Sequence, residues 1–179
     1  IIVAELSEQE AEELNEDSNI IIEEDLKVKA NVKAKPWTIS KNKGIDRDVA
    51  WNLQMINADK ANINSNQKVK VAIIDSGVDA ISGIKVKERI NLVDDKEDNL
   101  LFFEDYSGHG TSVAGIIAGS NGENNVEGIN PNVELYSAKV LDDNNVAPIS
   151  RVIEGIYWAI EQDVDIINLS LGTTVYSEA

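Results

Sequence analysis

Three apolar segments in the second part of the chain constrain its fold more than any other feature. Val69–Ile74 is apolar except for Lys70, and Val133–Val140 and Asp165–Leu171 are further mainly apolar segments, as is typical of strands buried on both faces. Helical patterns lie between them, one from Gly108 to Ala118 and one that Ser150 could cap. The sequence therefore predicts an α/β fold, with a parallel sheet and helices on both of its faces.

Both predicted helices carry a face suited to packing on this sheet. In the first, the small residues Gly110, Ala114 and Ala118 recur every four positions, and Gly119 follows as a stop signal. In the second, the apolar face consists of larger side chains, namely Val152, Ile153, Ile156 and Ile160. The first helix is therefore expected to approach the sheet closely and to hold its first residues rigidly.

The distribution of charge divides the chain into three parts. Residues 1–30 contain ten acidic residues and two lysines, residues 31–45 contain four lysines and no acid, and residues 46–179 contain 22 acidic and ten basic residues. The net charge of −16 argues against a nucleic-acid-binding protein, because such proteins neutralise phosphates with lysine and arginine. No apolar run is long enough to span a membrane, so no membrane partner is expected. The absence of cysteine excludes thiol catalysis.

The acidic first 30 residues are predicted to form a small α+β unit. Ile1–Leu6 and Ile20–Ile22 are β-prone, and Ser7 with Glu10 fits a capping box at the start of a short helix. Thirty residues cannot bury a core of their own, so this unit is expected to pack on another part of the protein. The segment from Lys27 to Gly44 is predicted to be an exposed linker.

His109, the only histidine, is the first candidate for chemistry. A single histidine is by default a surface residue or a hydrogen-bonded core residue. Here glycines flank it on both sides, and it opens the helix whose small residues permit close packing. A general base needs such rigid placement. A metal ligand is the weaker interpretation, since no second histidine and no cysteine could share the ion.

Asp75 is the second candidate, because it ends the strand Val69–Ile74 and precedes Ser76 and Gly77. Ligands and catalytic groups of parallel sheets lie beyond the carboxyl ends of strands. Alone, the residue could equally be a turn-forming aspartate, or the phosphate acceptor of an unrelated doubly wound domain with Asp79, Asp94 and Asp95 nearby. That last alternative leaves the Gly-His-Gly-Thr motif, 34 residues later, without an explanation.

Together, these motifs resemble those of the subtilisin-like serine proteases, the subtilase family (peptidase S8). Residues 71–78 are similar to the family's aspartate motif and residues 109–115 to its histidine motif. Residues 166–172 resemble its substrate-binding strand, and residues 136–141 resemble the strand before the other substrate-flanking segment. The resemblance covers residues 46–179, which are thus expected to be the N-terminal part of a subtilisin-like catalytic domain.

Residues 4–25 resemble the C-terminal half of the inhibitory propeptide of subtilases. The resemblance implies a partial propeptide in residues 1–30, packed on the protease with its tail in the active-site cleft, and a linker with the processing site in residues 31–45. It also implies a zymogen, secretion from a bacterial cell, and the chain's own propeptide as a partner.

The resemblance further implies a serine endopeptidase acting on protein or peptide substrates. Asp75 and His109 would be catalytic, with Asp75 orienting His109 and His109 moving the proton of a serine. The backbone of Ser170, Leu171 and Gly172 would bind an extended substrate. No cofactor is expected except a structural calcium ion, for which Gly83 and Gly122 replace usual side-chain ligands, leaving Asn121, Asn124 and Asn125 as candidates.

The family's serine motif and its oxyanion-hole asparagine are not found in these 179 residues. Gly110-Thr111-Ser112 spells the serine triplet but belongs to the histidine motif, and Asn168 is at the wrong position for an oxyanion hole. We therefore expect the sequence to be part of a larger gene product whose remainder, expected as a second chain, carries the serine, and the fragment alone to be inactive. The alternative is a catalytically inactive relative, either a pseudoprotease or a binding module.

Overall fold

The computed structural model describes residues 2–30, 51–61, 68–81, 83–93, 104–120 and 127–177. Its helices are α1 (Glu8–Asn15), α2 (Trp51–Met55), α3 (His109–Ala118) and α4 (Ile149–Glu161), with a 3-10 turn at Ala58–Lys60. Its strands are β1 (Lys27–Lys29), β2 (Lys70–Asp75), β3 (Val86–Asn91), β4 (Glu134–Lys139), β5 (Val146–Pro148) and β6 (Ile166–Asn168). Among the described residues, no helix has the length and hydrophobicity needed to cross a membrane.

Four parallel strands form the central sheet, in the order β3-β4-β2-β6. In the register between β2 and β4, Lys70 lies opposite Glu134 at one end and Asp75 lies opposite Lys139 at the other. Strand β2 lies between β4 and β6; β4 continues beside it to Asp75, whereas β6 pairs with it only as far as Ile73. The predicted α/β fold with a parallel sheet is confirmed.

Two apolar clusters, one on each face of the sheet, form the core, because successive side chains of a strand point to opposite faces. The cluster under α3 consists of Val71, Ile73, Val78, Ile84, Ala114, Ala118 and Leu135. The cluster under α4 consists of Val28, Ala72, Ile74, Tyr136, Ala138, Val140, Leu141, Ala147, Val152 and Ala159. The prediction of helices on both faces is thus confirmed.

The two helices differ in how well their packing faces follow the prediction. In α3, Gly110, Ala114 and Ala118 are all buried, as expected from their spacing. In α4 the prediction of Ile160 as a core residue is wrong, because its side chain is 59% exposed. The small residue Ala159 is buried instead, since it brings the helix backbone close to the sheet.

The N-terminal segment follows the prediction in its helix but not in its strands. Helix α1 begins with the predicted capping box: Ser7 N donates to Glu10 Oε2 (2.9 Å), and Glu10 N donates to Ser7 Oγ (3.3 Å). Residues 2–7 and 20–22 are not strands, since they have no pairing strand among the described residues. The only strand of this segment, β1, pairs antiparallel with β5.

Strand β1 also corrects the prediction that an exposed linker begins at Lys27. Val28 is only 3% exposed and belongs to the apolar cluster under α4. The Lys-Val-Lys pattern is therefore that of a strand with one buried side chain, and not that of a solvated connector. The predicted linker of residues 31–45 lies outside the described residues.

Helix α4 begins differently from the prediction, which made Ser150 its cap. The N-cap is Pro148, which has no capping side chain, and Ser150 lies inside the first turn. Asp25 provides the missing acceptors: Ser150 N donates to its Oδ1 (2.9 Å) and Ser150 Oγ to its Oδ2 (2.5 Å). The cap thus comes from a residue 125 positions earlier in the chain.

Two strands of the sheet also differ from the prediction. Strand β3 was not predicted, because its sequence contains three charged residues and its position at the edge of the sheet leaves it partly exposed. The third predicted strand, Asp165–Leu171, is shorter in the structure and spans Ile166–Asn168. Beyond Asn168 the backbone leaves the β2 ladder, and Gly172 pairs with Lys29 instead.

Candidate active site

Asp75 and His109 lie side by side at the carboxyl end of β2. Asp75 is the last residue of the strand and is fully buried, and His109 is the first residue of α3. His109 Nδ1 lies 2.7 Å from Asp75 Oδ1. Because a carboxylate can only accept, we assign the proton to Nδ1, which donates to Asp75. The imidazole is thereby oriented with its Nε2 available for another partner.

Two glycines make this close approach possible. Gly108, the N-cap of α3, has φ 75°, a backbone conformation that favours glycine. A Cβ on Gly110 would lie 2.1 Å from the carbonyl oxygen of Gly77 and 3.2 Å from Asp75 Cβ. Only glycine at position 110 lets the first turn of α3 contact the turn that follows β2.

The Asp75 carboxylate has a one-sided set of hydrogen bonds. Its Oδ1 accepts from His109 Nδ1 and from Ser76 N (2.7 Å), whereas Oδ2 is buried and has no partner among the described residues. Burial raises the pKa of Asp75 above its ordinary value, although the hydrogen bonds from His109 and Ser76 act in the opposite direction. Burial thus makes the ionised form of this carboxyl less favourable in the folded chain, and the hydrogen bonds offset part of that cost.

This raised pKa predicts how stability depends on pH. The folded chain binds the Asp75 proton more tightly than the unfolded chain does. The contribution of this carboxyl to the free energy of unfolding therefore decreases with rising pH. The decrease begins near the ordinary carboxyl pKa of about 3.9 and ends above the raised pKa of Asp75. Asp75→Asn should therefore gain stability relative to the wild type over that window. Urea unfolding at several pH values, with the exposed Glu154→Gln as control, measures the difference. A difference that does not grow with pH would contradict the prediction.

The segment from Asn145 to Pro148 and residue Gly172 together bind the backbone of β1 on both sides. Lys29 N donates to Gly172 O and Gly172 N to Lys29 O, both at 3.0 Å, and Ala30 N donates to Asn145 O at 3.2 Å. Residues 27–30 therefore lie as an extended strand between two flanking segments. Leu141, four residues before the first of these segments, donates from its backbone N–H to the carbonyl oxygen of Asp75 (3.1 Å).

The three residues predicted to bind substrate make different kinds of contact in the structure. Gly172 uses its backbone N–H and C=O to pair with Lys29. Leu171 packs against the apolar cluster under α4. Ser170 Oγ accepts from Asn168 Nδ2 (2.9 Å), so its side chain is engaged within its own segment. Only Gly172 makes backbone contact with an extended segment.

The calcium prediction finds no support in the described part of the chain. No group of three acidic or histidine side chains there could hold a metal ion. The carbonyl oxygen of Gly83 already accepts from Ser120 N (2.9 Å) and Ser120 Oγ (3.0 Å), so both of its lone pairs are used. The candidate ligands Asn121, Asn124 and Asn125, together with Gly122, lie outside the described residues.

The sequence analysis missed Asp105, a carboxylate that is only 5% exposed and lies beside the Asp75–His109 pair. It precedes α3 by four residues and is followed by Ser107 and Gly108, a composition typical of a hydrogen-bonded turn before a helix. That signal could have indicated a capping role. The contacts of Asp105 with the end of β2 could not have been inferred from it.

Comparison with protein families and with curated proteins gives consistent matches. Residues 66–179 match the family model described as Peptidase_S8: Subtilase family. An "Intracellular serine protease" of Paenibacillus polymyxa is 40% identical over 142 residues, which are 76% of this chain and 43% of the relative. A "Thermostable alkaline protease" of Halalkalibacterium halodurans is 33% identical over 176 residues, 97% of this chain and 44% of the relative.

A third relative, the "Minor extracellular protease Epr" of Bacillus subtilis, is 35% identical over 127 residues, 69% of this chain and 19% of the relative. The chain thus spans less than half the length of these relatives. The similarity to the alkaline protease also extends over residues before position 66, where the family match begins.

Proposed function

The chain belongs to the subtilase family, and on that premise we propose that the full-length protein is a serine endopeptidase in which Asp75 and His109 are two members of the catalytic triad. The observation that carries this proposal is the 2.7 Å hydrogen bond between His109 Nδ1 and Asp75 Oδ1 at the carboxyl end of the central strand. Asp75 fixes the tautomer of His109 and stabilises the imidazolium that forms during the reaction.

In this mechanism His109 Nε2 removes the proton from a serine hydroxyl, which attacks the carbonyl carbon of the peptide bond. His109 then gives the proton to the leaving amine. We place the nucleophilic serine outside these 179 residues. Ser112, the serine of Gly110-Thr111-Ser112, donates to Gly108 O (2.6 Å) on its own helix and is unsuited to the task. The fragment alone is therefore expected to be inactive.

A fluorophosphonate probe tests this assignment directly. The mature protease, purified in its native form after removal of residues 1–30, should be labelled on one serine outside residues 1–179, as read from the intact mass and from peptide mapping. His109→Ala should abolish labelling, while the exposed Glu154→Gln should be labelled like the wild type. A protein that is folded but unlabelled would contradict the endopeptidase proposal.

The substrate is proposed to be a protein or peptide that binds as an extended strand. Residues 27–30 lie in this way between Gly172 and the segment 145–148, with hydrogen bonds to backbone groups on both sides. Backbone pairing of this kind recognises an extended chain irrespective of most of its side chains. Ser170 and Leu171 are proposed to support the same strand position through their backbone.

Residues 1–30 are proposed to be the C-terminal half of an inhibitory propeptide, which makes the protein a zymogen. They occupy the proposed substrate position through β1 and contact α4 through Asp25 and through Leu26, whose carbonyl oxygen accepts from Ile149 N (2.7 Å). Cleavage in residues 31–45 would separate them from the catalytic part. We further propose that the protein acts outside a bacterial cell, as the name of the relative Epr says of that protein.

The contact between Asp25 and α4 leads to a prediction about inhibition. A peptide of residues 1–30 should inhibit the mature protease, and Asp25→Ala should raise its inhibition constant about tenfold, because removing a helix cap costs about 0.5–2 kcal/mol. Glu24→Ala, which removes an exposed neighbouring carboxylate, should change the constant much less. Equal inhibition by both variant peptides would contradict the capping role.

A further inference from the structure

Asp105 accepts four hydrogen bonds with its buried carboxylate. Its Oδ1 accepts from Ser76 Oγ (2.8 Å), Ser107 Oγ (3.1 Å) and Gly108 N (2.9 Å). Its Oδ2 accepts from Thr111 N (2.8 Å). A carboxylate has two oxygens that only accept, so an ionised aspartate satisfies all four donors at once.

Three of these four donors lie at the ends of the two elements that carry the candidate catalytic pair, and the fourth, Ser107 Oγ, belongs to the loop of Asp105 itself. Thr111 N and Gly108 N lie in the first turn and at the N-cap of α3, on either side of His109 in sequence. Ser76 directly follows Asp75, and its Oγ also accepts from Gly110 N (3.0 Å). The Asp105 carboxylate therefore connects the end of β2 with the start of α3.

The start of α3 depends on this external carboxylate. Its N-cap residue is Gly108, which has no side chain that could accept from the first N–H groups of the helix. Asp105 supplies both the acceptor and a negative charge close to the positive end of the helix dipole. Hydrogen bonds to an ionised acceptor are also stronger than those between neutral groups.

Asp105 is itself held in place from two sides. Its backbone N–H donates to Asp79 Oδ1 (2.7 Å). The preceding carbonyl oxygen, of Glu104, accepts from Nζ of the buried Lys139 (2.7 Å). Lys139 ends β4 opposite Asp75, so the loop is anchored to the same edge of the sheet as the pair. The position of the Asp105 carboxylate is thus fixed independently of His109.

From these contacts we propose that Asp105 is a positioning residue, which holds His109 at hydrogen-bond distance from Asp75 by joining α3 to Ser76. Asp105 contacts neither reacting atom; it acts through the backbone of α3 and through Ser76. The kinetic consequence of this role rests on the proposed peptidase function, whereas the structural consequence does not.

Asp105→Asn is the informative substitution, because it keeps the shape of the side chain but leaves one acceptor oxygen. The amide group would face Thr111 N, donor against donor. In the full-length mature protease we expect kcat to fall about 100-fold, the effect of displacing a catalytic group by roughly 1 Å. KM should change less than about threefold, since the segments that bind β1 make no contact with Asp105.

Glu104→Gln is the matched control. It removes one negative charge from the neighbouring residue of the same loop, but its exposed side chain does not contact α3 or Ser76. Its kcat should stay within about twofold of the wild type, a change expected of an exposed site. Equal kcat values for Asp105→Asn and Glu104→Gln would overturn the proposal.

A spectroscopic readout tests the same role without catalysis. In protein labelled with ¹⁵N-histidine, and with the signal of His109 assigned from His109→Ala, the Nδ1–H resonance should be sharp in the wild type and in Glu104→Gln. In Asp105→Asn it should be broadened by exchange with water. Retention of a sharp resonance would overturn the proposal. A wild type with this resonance but without peptidase activity would refute the proposed function alone.

Ser76→Ala provides a second test should Asp105→Asn not fold. It removes the hydroxyl that donates to Asp105 Oδ1, lies 3.1 Å from Asp75 Oδ1 and accepts from Gly110 N. The hydrogen bonds that Asp105 accepts from Gly108 N and Thr111 N stay in place. We expect kcat to fall about tenfold, a smaller displacement than that from loss of the carboxylate, with the His109 resonance broadened in the same way. Unchanged kcat and an unchanged resonance in Ser76→Ala would overturn the link through Ser76.

Discussion

Asparagine in place of Asp75 is expected to lower kcat of the mature protease about 10⁴-fold, because an amide at this position favours the wrong tautomer of the histidine. In the native chain the buried carboxylate accepts the Nδ1 proton of His109, which leaves Nε2 free to act as a base. The amide of asparagine is neutral, so it does not stabilise the imidazolium that forms in the reaction, and where its nitrogen faces Nδ1 it cannot accept that proton. Steady-state kinetics with a peptide substrate would measure the loss.

The same variant should be no less stable than the wild type near neutral pH. Burial raises the pKa of Asp75, so the ionised carboxylate is unfavourable in the folded chain, and a neutral side chain of the same shape removes this penalty. Loss of activity together with unchanged or higher stability would separate a catalytic role from a structural one. A variant that is folded and retains activity within tenfold of Glu154→Gln would contradict the assignment of Asp75.

The interior of the sheet could be predicted from the sequence because burial on both faces leaves a continuous apolar run. Strand β2 has this pattern after Lys70, strand β4 has it in part through Leu135, Tyr136 and Ala138, and the bounds of both agree with the prediction within two residues. Strand β3 lies at the edge of the sheet, where charged side chains can reach solvent, and it therefore has no such pattern. Strand β1 has only three residues, so its conformation depends on its partners β5 and Gly172.

The candidate site could be predicted in part for a similar reason. An aspartate at the end of a buried strand and a histidine between two glycines are local patterns, and the close approach of α3 follows from its small residues. The contacts of Asp105 with Ser76, and of Asp25 with Ser150, join residues 29 and 125 positions apart. Such contacts depend on how the elements pack, which no local pattern contains.

Alanine at position 110 is expected to cause the largest loss of stability among single substitutions near the site, at least about 3 kcal/mol, at the upper end of the range for overpacking. Its Cβ would lie 2.1 Å from the carbonyl oxygen of Gly77, a backbone atom that cannot rotate away. Alanine favours a helix over glycine by about 1 kcal/mol, which is too little to offset the clash. Urea unfolding of Gly110→Ala against the wild type measures the loss.

Two further glycines, Gly155 and Gly172, allow the loss of stability to be compared with the space available for a Cβ. A Cβ on Gly155 would meet side-chain atoms, Val140 Cγ1 at 2.9 Å and Ile74 Cγ2 at 3.0 Å, which can shift, so Gly155→Ala should lose only about 1 kcal/mol. A Cβ on Gly172 would meet nothing within 4 Å, so Gly172→Ala should stay within about 0.5 kcal/mol. A loss in Gly110→Ala no larger than that in Gly155→Ala would mean that the turn after β2 yields to the helix. In that case α3 would lie close to this turn only because residue 110 is small. His109 could then reach Asp75 without such a close approach.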